Sequence, residues 1–290
     1  MAEVELVGAG GEPVDFRRTL ASHGVADLLP NKLDEEAWTL ETTLALDGRA
    51  RTVRLSEGAP GHARVDGGTT RALAVIRHML RLDEDLSDFY ALVAGDPDLS
   101  WVTHGAGRML RSPTVFEDVI KTVCTTNCAW SGTVRMVTAL VEHLGVEGRT
   151  FPSAEAMAEA PDDFYRDVAR AGYRGPYLRA IARDVAAGTL ELEALDGRSD
   201  LPDDEVAARL LALPGVGPYA AAHIMMLLGR YGRLILDSWT RPKYARLTRR
   251  KTVKDTTIER RFRRYKNFAG LAFWLYLTRD WVPDGAVTRR

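Results

Sequence analysis

A short glycine-containing turn between two helical segments is the feature of this sequence that most constrains its fold. Residues 213–218 read Leu-Pro-Gly-Val-Gly-Pro, with a helical stretch running into them and an apolar helical stretch leaving them. The two glycines allow positive φ and leave backbone N–H groups uncovered. At the start of the outgoing helix such groups form an anion site that needs no side chain, and Pro218 suits the first helical turn.

We predict that this hairpin, about residues 203–230, holds a phosphate of a DNA backbone. The residues predicted to make that contact are Leu213, Gly215, Val216 and Gly217. The alternative is a plain corner between two helices with glycine as the C-cap, which explains one glycine well and the pair less well.

The charge of the chain changes sign from one end to the other. The net charge is −1, yet residues 1–110 hold 11 Lys and Arg against 18 Asp and Glu, whereas residues 230–290 hold 17 against 5. Such a basic block suits a polyanion, because each neutralised phosphate releases condensed counterions. A solvated helical face is the alternative. The basic excess comprises Arg241, Lys243, Arg246, Arg249, Arg250, Lys251, Lys254, Arg260, Arg261, Arg263, Arg264 and Lys266.

Composition excludes several other classes of protein. No run reaches the roughly 18 to 20 apolar residues that span a bilayer, and the acidic start Met-Ala-Glu-Val-Glu lacks the order of a secretion signal. We therefore expect an intracellular, cytoplasmic protein with no membrane contact. Two cysteines, Cys124 and Cys128, cannot complete a four-ligand metal site, so free thiols and no structural metal are expected.

The periodicity of apolar residues predicts an α+β fold. Three β-prone runs, 38–46, 51–56 and 62–66, are separated by turn residues and indicate a small antiparallel sheet. From Thr69 onward apolar residues recur at helical spacing, which indicates a helical body of eight to ten helices. The predicted division is an N-terminal lobe over 1–105, with the sheet and connecting helices, and a helical body over 106–290.

The hairpin and the segment that follows it resemble the helix-hairpin-helix DNA glycosylases. In that family an apolar run ends in one aspartate about twenty residues past the hairpin, and here Leu-Ile-Leu-Asp ends at Asp237. Segments 107–111, 116–117, 124–127 and 172–177 are similar to the 8-oxoguanine branch. The N-terminal sheet lobe is shared by that branch and the 3-methyladenine branch. The resemblance spans about residues 10–282.

This resemblance implies a base-excision-repair enzyme that binds duplex DNA, flips a damaged base and hydrolyses its N-glycosidic bond. It further implies a monomer associated with the nucleoid. No organic cofactor is expected, and a monovalent cation at the hairpin is the one ion left open.

Asp237 is the predicted catalytic residue. Glycosidic cleavage develops positive charge on the deoxyribose, which a nearby carboxylate stabilises while it orients or deprotonates the attacking water. Asp237 followed by Ser-Trp-Thr is also a good helix N-cap, and the two roles are compatible. Pro242 would disturb a helix that began at Asp237, so the helix is expected to begin near Arg241 with a shift of about one turn.

Tyr219 stands where strand-nicking members of the family carry a lysine. That lysine forms a Schiff base with the sugar, and a phenol cannot form an imine. We therefore predict monofunctional chemistry, in which water attacks and an abasic site remains.

The resemblance also implies residues that open the duplex and hold the base. Asn127 and Tyr173 would fill the gap left by the everted base, and Arg174 would hydrogen-bond the orphaned partner base. Each has an ordinary alternative as a turn or loop residue. The aromatic residues predicted for the base pocket are Tyr219, Trp239, Phe268 and Phe273, together with Trp274.

The aromatic character of the pocket bears on the lesion. Phe273 replaces the polar amide by which 8-oxoguanine enzymes read the purine, which favours a pocket that relies on stacking and a positively charged alkylated purine. Helix-core packing is the alternative for Phe273 and Trp274, and His223, one turn beyond Tyr219, is expected in the core or on the surface.

Two rival functions stay open at this point. The chain could keep the fold without catalysis and only bind damaged or distorted DNA, or it could use the fold as a protein-interaction scaffold. Retention of Asp237 favours the enzyme, and the basic block argues against the scaffold.

Overall fold

A five-stranded antiparallel sheet forms the amino-terminal part of the computed structural model, which describes residues 2–197 and 199–283. The sheet has the order β1-β5-β4-β3-β2. Its register sets Leu40 opposite Leu55 and Leu55 opposite Val65, so apolar side chains share one face. The strands are β1 (Ala2–Glu5), β2 (Lys32–Asp34), β3 (Thr39–Leu46), β4 (Arg49–Glu57) and β5 (His62–Asp66).

Two helices cover the apolar face of the sheet, α1 (Phe16–Leu20) and α2 (Thr70–Met79). Asp15 and Thr69 cap them, each accepting a hydrogen bond from a backbone N–H three residues on. The sheet, α1 and α2 share one hydrophobic cluster, in which Leu20, Leu40 and Ile76 are fully buried.

Ten further helices complete the described part of the chain. No helix there is long and apolar enough to cross a bilayer. The helices are α3 (Ser87–Val93), α4 (Val115–Thr125), α5 (Trp130–Leu144), α6 (Ala154–Glu159), α7 (Arg174–Ala186), α8 (Asp203–Leu211), α9 (Pro218–Leu227), α10 (Thr240–Leu247), α11 (Asp255–Phe262) and α12 (Ala269–Thr278). The predicted α+β class, a sheet lobe followed by a helical body with a helical hairpin, is confirmed.

The hydrophobic core consists of three clusters. The boundaries between these clusters do not coincide with the predicted domain boundary between residues 105 and 106. One cluster belongs to the sheet lobe and a second joins α4–α9. The third joins residues 86–109 to residues 222–277. Because α3 and the segment after it pack on the carboxyl-terminal helices, the stretch just before the predicted boundary belongs to the same core as α12. The helix α9 contributes to both helical clusters and lies at their junction.

Candidate DNA-binding and active site

The turn between α8 and α9 is built around two glycines with different backbone conformations. Gly215 has φ +81°, and a Cβ at this position would lie 2.8 Å from the ring of Tyr177. Gly217 is extended, with φ −97° and ψ −176°, and is the N-cap residue of α9. A Cβ on Gly217 would meet no atom within 4 Å, so packing within the described residues does not require glycine there.

Several backbone N–H groups at this turn have no acceptor within residues 2–197 and 199–283. Val216 N–H donates to Leu213 O and Ala221 N–H donates to Gly217 O. Among the described residues, no backbone acceptor pairs with the N–H groups of Gly215, Gly217 or Tyr219. The side chains of Leu213 and Val216 are buried, so they hold the turn in place and only their backbone could meet DNA. The turn therefore has the donors that an anion site requires.

Asp237 caps α10 with one oxygen of its carboxylate. Its Oδ1 accepts the N–H groups of Trp239 at 2.9 Å and Thr240 at 2.6 Å, and its own N–H donates to Thr240 Oγ1. No described residue hydrogen-bonds its other oxygen, Oδ2, and the residue is partly exposed. The helix begins at Thr240, with Pro242 in its first turn, where no backbone donor is needed. Pro242 therefore does not separate Asp237 from the helix that it caps.

The carboxylate of Asp237 lies within electrostatic reach of the outgoing helix of the hairpin. Burial raises the pKa of Tyr219, a hydrogen bond between Tyr219 and Thr125 acts the other way, and the negative charge of Asp237 raises the pKa further. Burial lowers the pKa of His223 to about 4 against the opposing effect of Asp237. Both residues lie on α9, one turn apart, so Asp237 lies within electrostatic reach of the first two turns of that helix.

A group of rings in edge-to-face and tilted contact includes residues within electrostatic reach of Asp237, and we name it the aromatic cluster. The ring centre of His223 lies 6.1 Å from that of Tyr219 and 6.5 Å from that of Trp274. Trp239 lies 5.7 Å from Trp274 and keeps 39% of its surface exposed. The cluster comprises His23, Tyr219, His223, Trp239, Trp274 and Trp281.

Two of the residues predicted for the base pocket lie elsewhere. Phe273 is fully buried against Phe262, 5.1 Å between ring centres, and so belongs to the core. Phe268 stacks on Phe89 at 5.1 Å and makes no ring contact with the aromatic cluster among the described residues. Phe273 on α12 thus packs on α11, and Phe268, which precedes α12, packs on α3. Both phenylalanines lie outside the aromatic cluster, and their assignment to the base pocket stays a prediction.

The predicted wedge residues are brought together. Asn127 lies between α4 and α5 with φ +45°, and its amide is 3.4 Å from the hydroxyl of Tyr173. Tyr173 is 53% exposed. Arg174 departs from expectation, because it is buried and its guanidinium donates to the carbonyl oxygens of Thr126 and Asn127. Its side chain holds the loop that carries Asn127 and is not free to reach a base in this conformation.

The basic block is less positive than its sequence indicates, because four of its twelve side chains are paired with carboxylates. Arg241 pairs with Asp255, and Lys243 pairs with Asp280. Arg261 and Arg264 pair with two aspartates of the amino-terminal half, Asp98 and Asp96. The other eight are exposed and form no ion pair with a described residue: Arg246, Arg249, Arg250, Lys251, Lys254, Arg260, Arg263 and Lys266.

Part of this block shares a groove with the hairpin. Pro218 and Tyr219, at the start of α9, line an open groove of about 560 Å³ together with Arg233, Arg263 and Lys266. A backbone that enters at the free N–H groups of the turn would therefore meet cations on the same surface.

Sequence reasoning missed three residues of this region. Trp130, at the start of α5, is 49% exposed, and its ring lies 3.7 Å from where a Cβ on Gly24 would be. His23 and Trp281 complete the aromatic cluster from distant parts of the chain. An exposed tryptophan close after the predicted wedge Asn127 was an available signal, whereas nothing in the sequence placed His23 beside α9.

No group of three or more His, Cys, Asp or Glu side chains within 2–197 and 199–283 is arranged to hold a metal ion. Cys124 and Cys128 are free, and the first is buried.

The sheet lobe and the helical body with its glycine hairpin form a fold similar to those of solved DNA glycosylases. The chain is similar to 3-methyladenine DNA glycosylase from Archaeoglobus fulgidus, with 20% identity and TM-score 0.72 over 97% of this chain and 99% of that one. It is also similar to the 8-oxoguanine glycosylase/lyase of Clostridium acetobutylicum in complex with DNA, with 20% identity and TM-score 0.66 over 88% and 91%.

A third similar structure, 3-methyladenine DNA glycosylase of Schizosaccaromyces pombe in complex with abasic DNA, has 18% identity and TM-score 0.55 over 69% of this chain and 99% of that one. The sequence itself matches no protein-family model and no curated protein. At these identities the likeness establishes the fold, and the reaction has to be argued from the residues.

Proposed function

We propose that this protein is a monofunctional DNA N-glycosylase of base excision repair. The observation that carries the proposal is the position of Asp237, whose carboxylate lies within electrostatic reach of Tyr219 and His223 in the first two turns of the helix that starts at the hairpin. A backbone phosphate held by the free N–H groups of the turn would bring a deoxyribose toward this carboxylate.

Asp237 has the two properties that the reaction requires. Its Oδ1 is fixed by two backbone donors, so the carboxylate is oriented before substrate arrives. Its Oδ2 is available to face the sugar, where a negative charge stabilises the developing oxocarbenium ion and can orient the attacking water. Preorganised charge of this kind contributes on the order of several kcal/mol to barrier reduction.

Tyr219 supports hydrolysis by water over covalent amine chemistry. Its phenol lies on the face of α9 that Asp237 influences, 3.4 Å from Thr125 Oγ1, and cannot form an imine. Lys121 is fully buried and bonded to Glu117, and Lys243 is paired with Asp280, so neither ammonium is free to attack. The proposed chemistry uses water and assigns no organic cofactor.

The lesion that we propose is an alkylated purine. The aromatic cluster offers ring faces on three elements, through Tyr219, Trp239 and Trp274. A positively charged base is attracted to such faces, and its glycosidic bond is already weakened. Two of the similar structures are enzymes named for the lesions 3-methyladenine, an alkylated purine, and 8-oxoguanine.

Single-turnover base release from a panel of duplexes tests the proposal. The panel holds methylated DNA and single 8-oxoguanine, hypoxanthine and 1,N6-ethenoadenine sites. We expect Asp237→Asn to slow release at least about 100-fold, or roughly 2.7 kcal/mol, because the amide keeps the cap but loses the charge. The matched control is Asp88→Asn, which removes an exposed carboxylate on α3 that does not line the groove and is expected to stay within about threefold of wild type.

Equal rates for wild type and Asp237→Asn would remove Asp237 from the mechanism. Binding that is equal for damaged and undamaged duplexes, with no base released from any of them, would favour the inactive DNA-binding alternative.

A further inference from the structure

Two buried histidines in the aromatic cluster each have a ring nitrogen that no residue in the described part of the chain hydrogen-bonds. His23 and His223 are 4% and 5% exposed, and their ring centres lie 5.7 Å apart with the planes at 81°. Nδ1 of His23 and Nε2 of His223 are buried and have no hydrogen-bond partner among the described residues. A buried polar atom without a partner destabilises the fold, so each of these two calls for an explanation.

The hydrogen bond of His23 Nε2 determines whether Nδ1 of the same ring is a donor or an acceptor. Its Nε2 lies 2.6 Å from the carbonyl oxygen of Leu110, so Nε2 carries the proton and donates it. Burial lowers the pKa of His23 to about 3 and that of His223 to about 4. Both rings are therefore neutral near pH 7, and Nδ1 of His23 is an acceptor. Nε2 of His223 is a donor in one of its two neutral tautomers.

The pair lies where the sheet lobe meets the hairpin helix. His23 precedes Gly24, against which the exposed ring of Trp130 packs. The indole N–H of Trp274 donates to Ser22 O at 2.8 Å, which ties α12 to the same segment. His223 follows Tyr219 by one turn of α9 and lies within electrostatic reach of Asp237. The unused nitrogens thus lie among the rings that the proposed function assigns to the base.

We propose that His23 and His223 are specificity-determining residues that hydrogen-bond the polar edge of the everted base. His23 Nδ1 accepts from an N–H group of the base, and His223 Nε2 donates to an adjacent ring nitrogen or carbonyl oxygen. This assignment rests on the proposed glycosylase function. The matching ligand is a base with an N–H donor next to an acceptor, which in an adenine derivative are the N6 amino group and N1. Closing the amino group and N1 into a ring removes the hydrogens on N6 and the free lone pair on N1, so that base satisfies neither histidine in this arrangement.

A purely structural pair would behave differently. Leucine at position 223 would fill the space without an orphaned nitrogen, so a core role predicts gain or no change in stability and no effect on the choice of base. A reading role predicts the same stability together with altered discrimination between bases. The two roles therefore separate in one set of variants.

The experiment compares 3-methyladenine, which keeps its amino group, with 1,N6-ethenoadenine, in which the amino nitrogen is closed into a ring. Base release is measured under single-turnover conditions for full-length wild type, His223→Leu and His23→Gln, the last retaining a donor for Leu110. We expect both variants to slow 3-methyladenine release at least about tenfold and to leave ethenoadenine release within about twofold. The exposed His104→Leu is the matched control and should change neither rate.

Equal slowing of both bases, or of neither, overturns the assignment. The unfolding midpoint of His223→Leu should not fall below that of wild type, which excludes damage to the fold as the cause of slower release.

A binding measurement tests the assignment of His23 and His223 independently of enzymatic activity. The ring nitrogens of ¹⁵N-histidine-labelled wild type are followed by NMR while 9-methyladenine or 9-methylpurine, which has no N–H group, is added. We expect shifts at His23 and His223 with 9-methyladenine, and no shift at His23 with 9-methylpurine. If wild type releases no base from any duplex, the proposed function fails and this titration still tests the pair; absence of shifts with 9-methyladenine overturns the assignment.

Discussion

His223 links the stability of the protein to pH through its burial. Its pKa falls from about 6.5 in an unfolded chain to about 4 in the folded protein. Below pH 6.5 the unfolded chain therefore binds a proton that the folded protein does not bind, and the free energy of unfolding falls as pH drops toward 4. The loss is at most about 1.4 kcal/mol for each pH unit in this window.

We expect this loss to be smaller in His223→Leu, which has no imidazole to protonate. Urea unfolding of both proteins at pH 7.5, 6.5, 5.5 and 4.5 measures the difference. Burial also raises the pKa of Asp118 to about 7, which acts in the opposite direction, but that effect is common to both proteins and cancels. Stability curves that run parallel from pH 7.5 to 4.5 would contradict the prediction.

In the proposed mechanism, Tyr219 determines whether the DNA strand is left intact after the base is released. We expect wild type to leave the strand intact and to form no covalent complex with damaged DNA in borohydride, because its phenol cannot form an imine. Tyr219→Lys puts an amine within electrostatic reach of Asp237 and is expected to give a trapped complex, seen as a shifted band on a denaturing gel. Trapping by the wild-type protein would refute the monofunctional assignment.

Individual residues were predictable where local sequence fixes their place. Asp237 follows a fixed distance after the hairpin, and Asn127 and Tyr173 fall in loops at helix ends, where the structure puts them together. Phe273 could not be assigned, because nearly every residue of α12 is buried and an all-apolar helix carries no signal for which side faces a pocket. His23 comes from a segment about 200 residues away from α9, so only the tertiary fold reveals its role.

At the scale of elements, the two hairpin glycines are expected to respond differently to the same substitution. Gly215→Ala puts a Cβ against Tyr177 in a left-handed conformation, so we expect it to lower the unfolding midpoint, at a cost of roughly 1–3 kcal/mol. Gly217→Ala has open space and ordinary φ, so the free protein should be as stable as wild type.

Gly217→Ala should nevertheless weaken DNA binding, because its methyl group would stand where a phosphate approaches the free N–H groups. We expect at least about a tenfold rise in Kd, or roughly 1.4 kcal/mol, measured by fluorescence anisotropy with thermal unfolding in parallel. Unchanged affinity in a folded Gly217→Ala protein would mean that the turn does not hold the backbone.

The elements themselves were largely readable from periodicity and turn residues. The β3–β4–β5 meander and the α8–α9 hairpin lie where alternation, helical spacing and glycine predicted them. The start of α10 was harder to predict, because Pro242 lies inside the helix and only the cap made by Asp237 shows that it belongs to the first turn.

At the scale of the whole molecule, folding determines which of the charged side chains stay unpaired at the surface. Aspartates of the acidic half pair with Arg261 and Arg264. Asp255 and Asp280 pair with Arg241 and Lys243, so eight exposed cations of the basic block remain available to DNA. The sum of charges along the sequence could not give this number, because pairing depends on which segments meet.

The salt dependence of DNA affinity tests this surface. We expect the slope of log Kd against log salt to fall by about 0.9 for each cation lost that contacts a phosphate. The variant Arg249→Ser, Arg250→Ser, Lys251→Ser removes three, and Arg166→Ser, an exposed arginine paired with Asp167, is the control. A slope that stays equal to that of wild type would place the DNA elsewhere.

Under the proposed function, Arg174 has a consequence for how the protein would inspect DNA. Its guanidinium donates hydrogen bonds to the carbonyl oxygens of Thr126 and Asn127, and these bonds hold the loop that carries Asn127 in one conformation before DNA binds. A loop that is already ordered does not need to rearrange at each position along the DNA. The dwell at every base pair is then governed by how readily the double helix yields, and weakly stacked, damaged positions are the ones that yield first.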